Sequence, residues 1–407
     1  MKDITSSDLV APETMRDFNA FYQKLVNRQE RLYRLDDFFG MGEAWIAFRY
    51  EDVSAILKDP RFLSDRRKFA SQQQSSPENS SVNEFLEWFK SMPNMLMVDP
   101  PDHTRLRRLV SKAFTPRMIE DLRPRIQQIA DELLDKVASR GKMELISEFA
   151  YPLPIIVISE MLGIPGHHQA RFREWTHKLA QGALNPGQAN LVQEALQEFI
   201  DYIQSLISEK RVRPGNDVIS GLLQAYDEGD KLNENELLST IWLLITAGHE
   251  TTVNLIGNGT LALLQHPEQM QLLREDPALL PGAVEELLRY AGPVMITGRV
   301  ADEDIEIHGT LIRKGEMVMV SLAGADMDAS RFDGPERMDI TRQETDHLAF
   351  GRGIHLCLGA PLARMEGQIA FGSLLRRFPN LRLDVKPEDL AYHYSTLRSL
   401  VSLPVSF

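Results

Sequence analysis

Apolar residues recur at three- and four-residue spacing over most of this chain, and that periodicity constrains the fold more than any other feature. It runs through Arg117–Arg140, Glu148–Leu162, Gln188–Arg211, Glu234–Gln265 and Ala278–Tyr290. Each stripe reads as the buried face of an amphipathic helix. Pro116 and Pro277 stand where the first turn of a helix tolerates proline, since the missing N–H has no partner there anyway. Shorter pieces at Ala44–Phe48, Asp304–Ile307 and Met317–Ser321 read as strands. Ser71–Ser81 (SQQQSSPENSS) is polar and low in complexity, and reads as a loop because apolar sequence resumes at Phe85. The LNPG run at Leu184–Gly187 breaks two helices and is placed to hinge a lid. No internal repeat is found. The expectation is a mainly α chain, with residues 1–407 as a single domain and minor β structure near the N-terminus and in the C-terminal half.

Charge and cysteine usage exclude several functions. A formal net charge of −13 argues against nucleic-acid binding, which needs a basic surface. No run approaches the roughly 20 apolar residues of a membrane span. The N-terminal MKDITSSDLVAPE lacks the apolar core of a signal peptide. No membrane association, a cytoplasmic location and a monomer are expected. With a single cysteine, an intrachain disulfide and any zinc site built on two or four cysteines are ruled out.

That cysteine sits in an unusual loop. Phe350–Ala363 reads FGRGIHLCLGAPLA. Gly351 and Gly353 permit backbone conformations closed to other residues, and Gly359 allows close approach to a flat ligand. The sequence after Cys357 has helical period, with Pro361 in the opening turn. Cys357 therefore lies just before a helix N-terminus, where the helix dipole and free N–H groups favour a thiolate.

The spacing Phe350-x-x-Gly353-x-His355-x-Cys357-x-Gly359 resembles the cysteine-ligand signature of the cytochromes P450. That resemblance implies haem b bound with Cys357 as axial iron ligand and with Phe350 and Gly351 against the cofactor. A thiolate ligand pushes electron density onto the iron and favours O–O cleavage. A second segment agrees. The apolar IWLLITAGHETTVNLIG contains Ala247-Gly248-His249-Glu250-Thr251-Thr252, and a Glu in such a helix needs a reason because burying charge is costly. It is similar to the family's oxygen-binding helix. The resemblance gives Thr251 a hydrogen bond to dioxygen and Glu250 the supply of protons. It places Ala247 and Gly248 beside the cofactor, with Gly248 leaving room for oxygen. His249 is expected to be structural or part of the pocket wall.

Further motifs follow in the family's order. Glu286 and Arg289 share one helix face at i, i+3. Pro335-Glu336-Arg337-Met338 resembles the segment that adds a third member, Arg337, to that pair. Met338 replaces the usual aromatic there, and Arg342 is a nearby competitor. The resemblance assigns the haem propionates to His103 and Arg107, four apart on one helical face, and to Arg299 and His355.

The resemblance covers most of the chain, from about Phe48 to the C-terminus. It implies the mainly α P450 fold, a triangular prism with small sheets. It also implies a monooxygenase that inserts one oxygen atom of O₂ into a hydrophobic small molecule. DPPDHTRLRRLVSKAFTPR and FGRGIHLCLGAPLAR look like bacterial class I members, among them the group acting on polyketides, macrolides and other secondary metabolites. No flavin or nicotinamide motif is present, so electrons are expected from a separate ferredoxin or flavodoxin. Arg105, Arg108, Lys112, Arg352 and Arg364 are its expected basic dock. The expected pocket walls are Phe85–Val98, Leu179–Leu184, Leu243–Ala247, Val294–Thr297 and Tyr394–Leu397. Two other readings stand beside this one: a peroxide-driven peroxygenase of the same fold, and a haem-binding sensor or carrier without catalysis.

Overall fold

The periodic segments are helices in the computed structural model, which describes residues 4–72, 92–112, 114–166, 171–172, 174–175, 178, 189–227 and 232–407. Glu234–Gln265 and Met317–Ser321 have the bounds read from the sequence. Pro116–Ala138, Ala189–Val212 and Leu280–Ala291 shift by a few residues. The stretch from Glu148 does not begin as α-helix. A π-turn, Ile146–Ala150, precedes the helix Pro152–Leu162. Glu148 itself is occupied in that turn, accepting from the Glu144 N–H at 2.8 Å and pairing with Arg140.

The chain packs as two compact units built from alternating stretches. One comprises the residues up to Leu63, Leu122–Leu153 and Glu250–Phe407, and the other Ser64–Asp121 and Pro154–His249. In the first unit, five strands form one sheet in the order Leu32–Leu35, Ala44–Ala47, Met317–Ser321, Ile296–Ala301, Phe62–Leu63. Ala44–Ala47 runs parallel to Met317–Ser321, and the other pairings are antiparallel. The Met317–Ser321 strand is buried along its whole length, as a central strand covered on both faces must be. The helix Tyr50–Lys58 packs Val53, Ile56 and Leu57 onto this sheet beside Ala325, Phe332 and Leu348. A second core joins the helices Leu280–Ala291 and Ala360–Arg377 through Val284, Leu287, Leu288, Phe371 and Leu375. The second unit is centred on aromatic side chains that meet edge to face: Phe172 with Trp175 and Phe199, and Phe199 with Trp242 at 4.7 Å between centroids. Such pairs add about 0.5–1.5 kcal/mol each beyond the area they bury. The expected hinge at Leu184–Gly187 lies outside the described residues, as do the expected wall Leu179–Leu184 and half of the wall Phe85–Val98. Among the described residues, no helix is long and apolar enough to cross a membrane.

Candidate active site

The cysteine loop is built from backbone hydrogen bonds. The Gly351 N–H donates to Leu348 O at 2.7 Å, the Leu356 N–H to Gly353 O at 3.1 Å, and the Cys357 N–H to Phe350 O at 3.0 Å. Gly353 has φ +76°, and a Cβ there would stand 2.5 Å from the Leu57 carbonyl oxygen, so both conformation and space demand glycine. The helix Ala360–Arg377 starts two residues after the loop's Leu358, with Gly359 as its N-cap and proline in its first turn. Cys357 is exposed at the head of that helix, which sets it apart from the inert buried cysteine that a lone Cys usually is.

Side chains brace the loop from behind. Arg352 pairs with Asp346 and reaches Ser54 Oγ at 3.4 Å. Arg364 grips Glu285 through two hydrogen bonds of 2.7 and 2.8 Å and lies over the Phe350 ring. The Ala349 N–H donates to His347 Nδ1, so the proton is on Nε2, which faces Glu285 at 3.2 Å. Burial would raise the Glu285 carboxyl, but His347 and Arg364 outweigh it and hold its pKa at about 2.

Glu286 and Arg289 form a fully buried bidentate pair at 2.7 and 2.8 Å. Arg289 also donates to the carbonyls of Asp326, Pro335 and Arg337. The third member of this cluster differs from the expectation. Arg337 turns its side chain to solvent, 68% exposed, and pairs with Asp333. Arg342, only 6% exposed, brings Nε to 3.2 Å from Glu286 Oε2 and donates to the Asp333 and Gly334 carbonyls. Arg337 contributes only its backbone carbonyl. The motif spacing named the segment correctly, but the later arginine is the one whose side chain reaches Glu286.

The helix Glu234–Gln265 carries the acid–alcohol pair. Glu250 and Thr251 are half-buried, Thr252 is buried, and Ala247, one turn earlier, is exposed. Burial raises the Glu250 pKa, so this side chain holds a proton more readily than an ordinary glutamate. Gly248 has a packing reason: a Cβ there would come within 3.0 Å of the Ile158 side chain. His249 is buried with Nδ1 donating to Ile245 O at 2.7 Å, and burial lowers its pKa. It is a neutral structural histidine, as expected.

Of the expected propionate partners, Arg299 is buried on the strand Ile296–Ala301 opposite Val318, with Nη1 donating to Gly298 O at 2.8 Å. His355 is half-buried in the short turn Gly353–His355. In the other unit, His103 is buried and Arg107 half-buried on the helix Asp102–Lys112. Burial and then the Arg107 charge lower the His103 pKa. The expected basic dock is thinner than its residue list. Arg105 is held by Glu236 and Asp102, Arg352 by Asp346, and Arg364 by Glu285. In an acidic chain these guanidinium groups find carboxylates nearby. Arg108 and Lys112 are exposed.

One feature escaped the sequence reading. Glu366, on the helix Ala360–Arg377, is 1% exposed, and neither of its oxygens makes a hydrogen bond of normal geometry. Burial raises its pKa to about 8, against a lesser opposing effect of the Thr252 hydroxyl. Its signal was a Glu amid PLARMEGQIAFG, on a face otherwise apolar.

The residues present fit haem b. The single cysteine is exposed at a helix head, the loop before it is held open by glycine, and a buried arginine and a histidine stand in the same unit. The family model for cytochrome P450 matches residues 21–392. The chain is 62% identical to cytochrome P450 CYP107DY1 of Priestia megaterium, over the full length of both. It is 46% identical to the polyketide biosynthesis cytochrome P450 PksS of Bacillus subtilis, covering 92% of this chain and 91% of that one. A crystal structure of the myxobacterial cytochrome P450 CYP267B1 in complex with myristic acid superposes with a TM-score of 0.91 at 43% identity, covering 98% and 99% of the two chains.

Proposed function

Since the chain belongs to the cytochrome P450 family of haem b monooxygenases, we propose that it hydroxylates a bulky hydrophobic small molecule of secondary metabolism, as a cytoplasmic monomer drawing electrons from a separate ferredoxin or flavodoxin. The observation that carries this reading is the Glu250–Thr251 pair, an acid whose pKa burial raises beside an alcohol, on a helix otherwise chosen for packing. Bound haem supplies the activation of dioxygen. Cys357 is the thiolate ligand, and Phe350 and Gly351 shape the loop that presents it. Arg299, His355, His103 and Arg107 hold the propionates. Ala247 keeps the helix surface free of bulk beside the cofactor, and Gly248, next to it, lets the Ile158 side chain pack close. Thr251 would offer its hydroxyl hydrogen as a hydrogen bond on the cofactor side of the helix, and Glu250 would resupply protons to that hydroxyl. The substrate class is supported by the relative named for polyketide biosynthesis and by the apolar segments Leu243–Ala247 and Val294–Thr297.

The test is turnover with a surrogate ferredoxin, its NADPH-dependent reductase and labelled O₂, against a panel of macrolides, terpenoids, steroids and fatty acids. The expected result is a panel member that shifts the haem spectrum and gains one labelled oxygen atom. Product with peroxide but none with the reductase would replace this reading by a peroxygenase. No NADPH consumption across the panel would replace it by a sensor or carrier.

A further inference from the structure

Asn258 lies seven residues beyond Thr251 on the helix Glu234–Gln265, about two turns and ~10 Å along nearly the same face. It is 2% exposed. A buried amide in mid-helix is a poor choice for packing, and its transfer from water is costly unless its protons are used. They are used outside the helix. Nδ2 donates to the Arg398 carbonyl at 2.8 Å and, at 3.4 Å, to the Ala291 carbonyl. Ala291 is the last residue of the helix that carries Glu286 and Arg289, so its carbonyl has no partner within that helix.

Arg398 closes the turn of a hairpin. The His393 N–H donates to Ser399 O, and Tyr392 bridges Leu400. The Arg398 N–H donates to Pro293 O at 2.8 Å, the Met295 N–H to Thr396 O at 3.3 Å, and Val294 bridges Leu397. This ladder is too short to hold its own register. The 293–295 side is anchored independently, because Met295 O accepts from the Ala323 N–H. The 396–398 side is tied to the long helix by Asn258. The glycines on either side of Asn258 bring that helix close to its neighbours: a Cβ at Gly257 would stand 2.6 Å from Ile146 Cδ1, and one at Gly259 2.5 Å from Phe371 Cζ. The helix has little freedom to shift, so the amide fixes the hairpin turn at one distance from Thr251.

We propose that Asn258 is a positioning residue that sets the hairpin turn 394–397, through the Arg398 carbonyl, against the helix of the acid–alcohol pair and so determines how a bulky guest lies relative to Thr251. The proposal rests on the reading of that turn as a wall of the haem pocket. Two azole probes separate wall from iron. Imidazole is small and senses chiefly the iron, whereas 4-phenylimidazole also reaches the pocket wall. Both are titrated spectroscopically against the holoenzyme with Asn258→Leu, which keeps the volume and loses the donors, and with Asn258→Ser, which keeps one donor. Asn258→Leu should weaken 4-phenylimidazole about tenfold and imidazole by less than about twofold, with Asn258→Ser between parent and Leu. Amide exchange at Met295 and Arg398 should accelerate together, about tenfold, in the same variants. Equal loss of both azoles, or no loss of either, overturns the proposal. So does unchanged exchange at the two amides. If Asn258→Leu does not retain haem, Asn258→Ser carries the azole comparison. A parent protein that binds neither azole at its iron would overturn the haem-pocket reading instead, while the exchange measurement would still decide whether Asn258 holds the turn.

Discussion

At the scale of single residues, the site turns on protons held where water is scarce. Thr251→Ala should keep haem and substrate, since neither task uses the hydroxyl, but NADPH should then yield hydrogen peroxide in place of hydroxylated product. Glu250→Gln keeps the shape and loses a proton carrier, so turnover should slow, by about 10²–10⁴ if it is the sole proton donor. Product and peroxide measured in one reaction distinguish the two effects. A Thr251→Ala variant as well coupled as the parent would show the hydroxyl to be dispensable. Glu366 makes a different prediction. Its folded-state pKa, about 8, lies above the ordinary value of 4.5, so the folded protein binds this proton more tightly than the unfolded chain. Between those values unfolding releases it, and the carboxyl's contribution to stability is lost as pH rises, by up to about 1.4 kcal/mol per pH unit. Glu366→Gln removes that slope. Its melting temperature relative to the parent should therefore rise between about pH 6 and about pH 8. A constant difference across the window would show that Glu366 is not held neutral.

At the scale of elements, the buried Glu286–Arg289–Arg342 cluster joins the helix Leu280–Ala291 to the segment before the cysteine loop. Arg342→Ala leaves Glu286 paired with Arg289 alone and takes the donor from the Asp333 and Gly334 carbonyls, which should cost about 1.5–3 kcal/mol. Arg337→Ala removes a solvent-exposed pair and should change stability by no more than about 1 kcal/mol. Denaturant melts of the two variants decide, and equal losses would return Arg337 to the cluster. The sequence could name the segment because its residues lie close together in the chain, but not which arginine turns inward, since that is decided against Glu286, 56 residues earlier in the chain. Helices with long apolar stripes, Glu234–Gln265 above all, were legible for the same local reason. The five-stranded sheet was not, because Ala44–Ala47 finds its parallel partner some 270 residues away, and nothing local encodes that pairing. Glu366 and Asn258 were legible in principle as polar residues on apolar helix faces. Glu250, of the same kind, drew attention because a motif surrounded it.

At the scale of the whole molecule, the account reduces to one exposed sulfur on one glycine-held loop, braced by Arg352 and Arg364 and followed by a helix whose N-terminus favours a thiolate. With one cysteine in 407 residues, a thiolate ligand could come from no other side chain. The reduced carbon monoxide complex reads it directly. The parent protein should absorb near the wavelength that gives the family its name, and Cys357→His should lose that band even where it keeps haem. A Cys357→Ala protein that still showed the thiolate band would contradict the account.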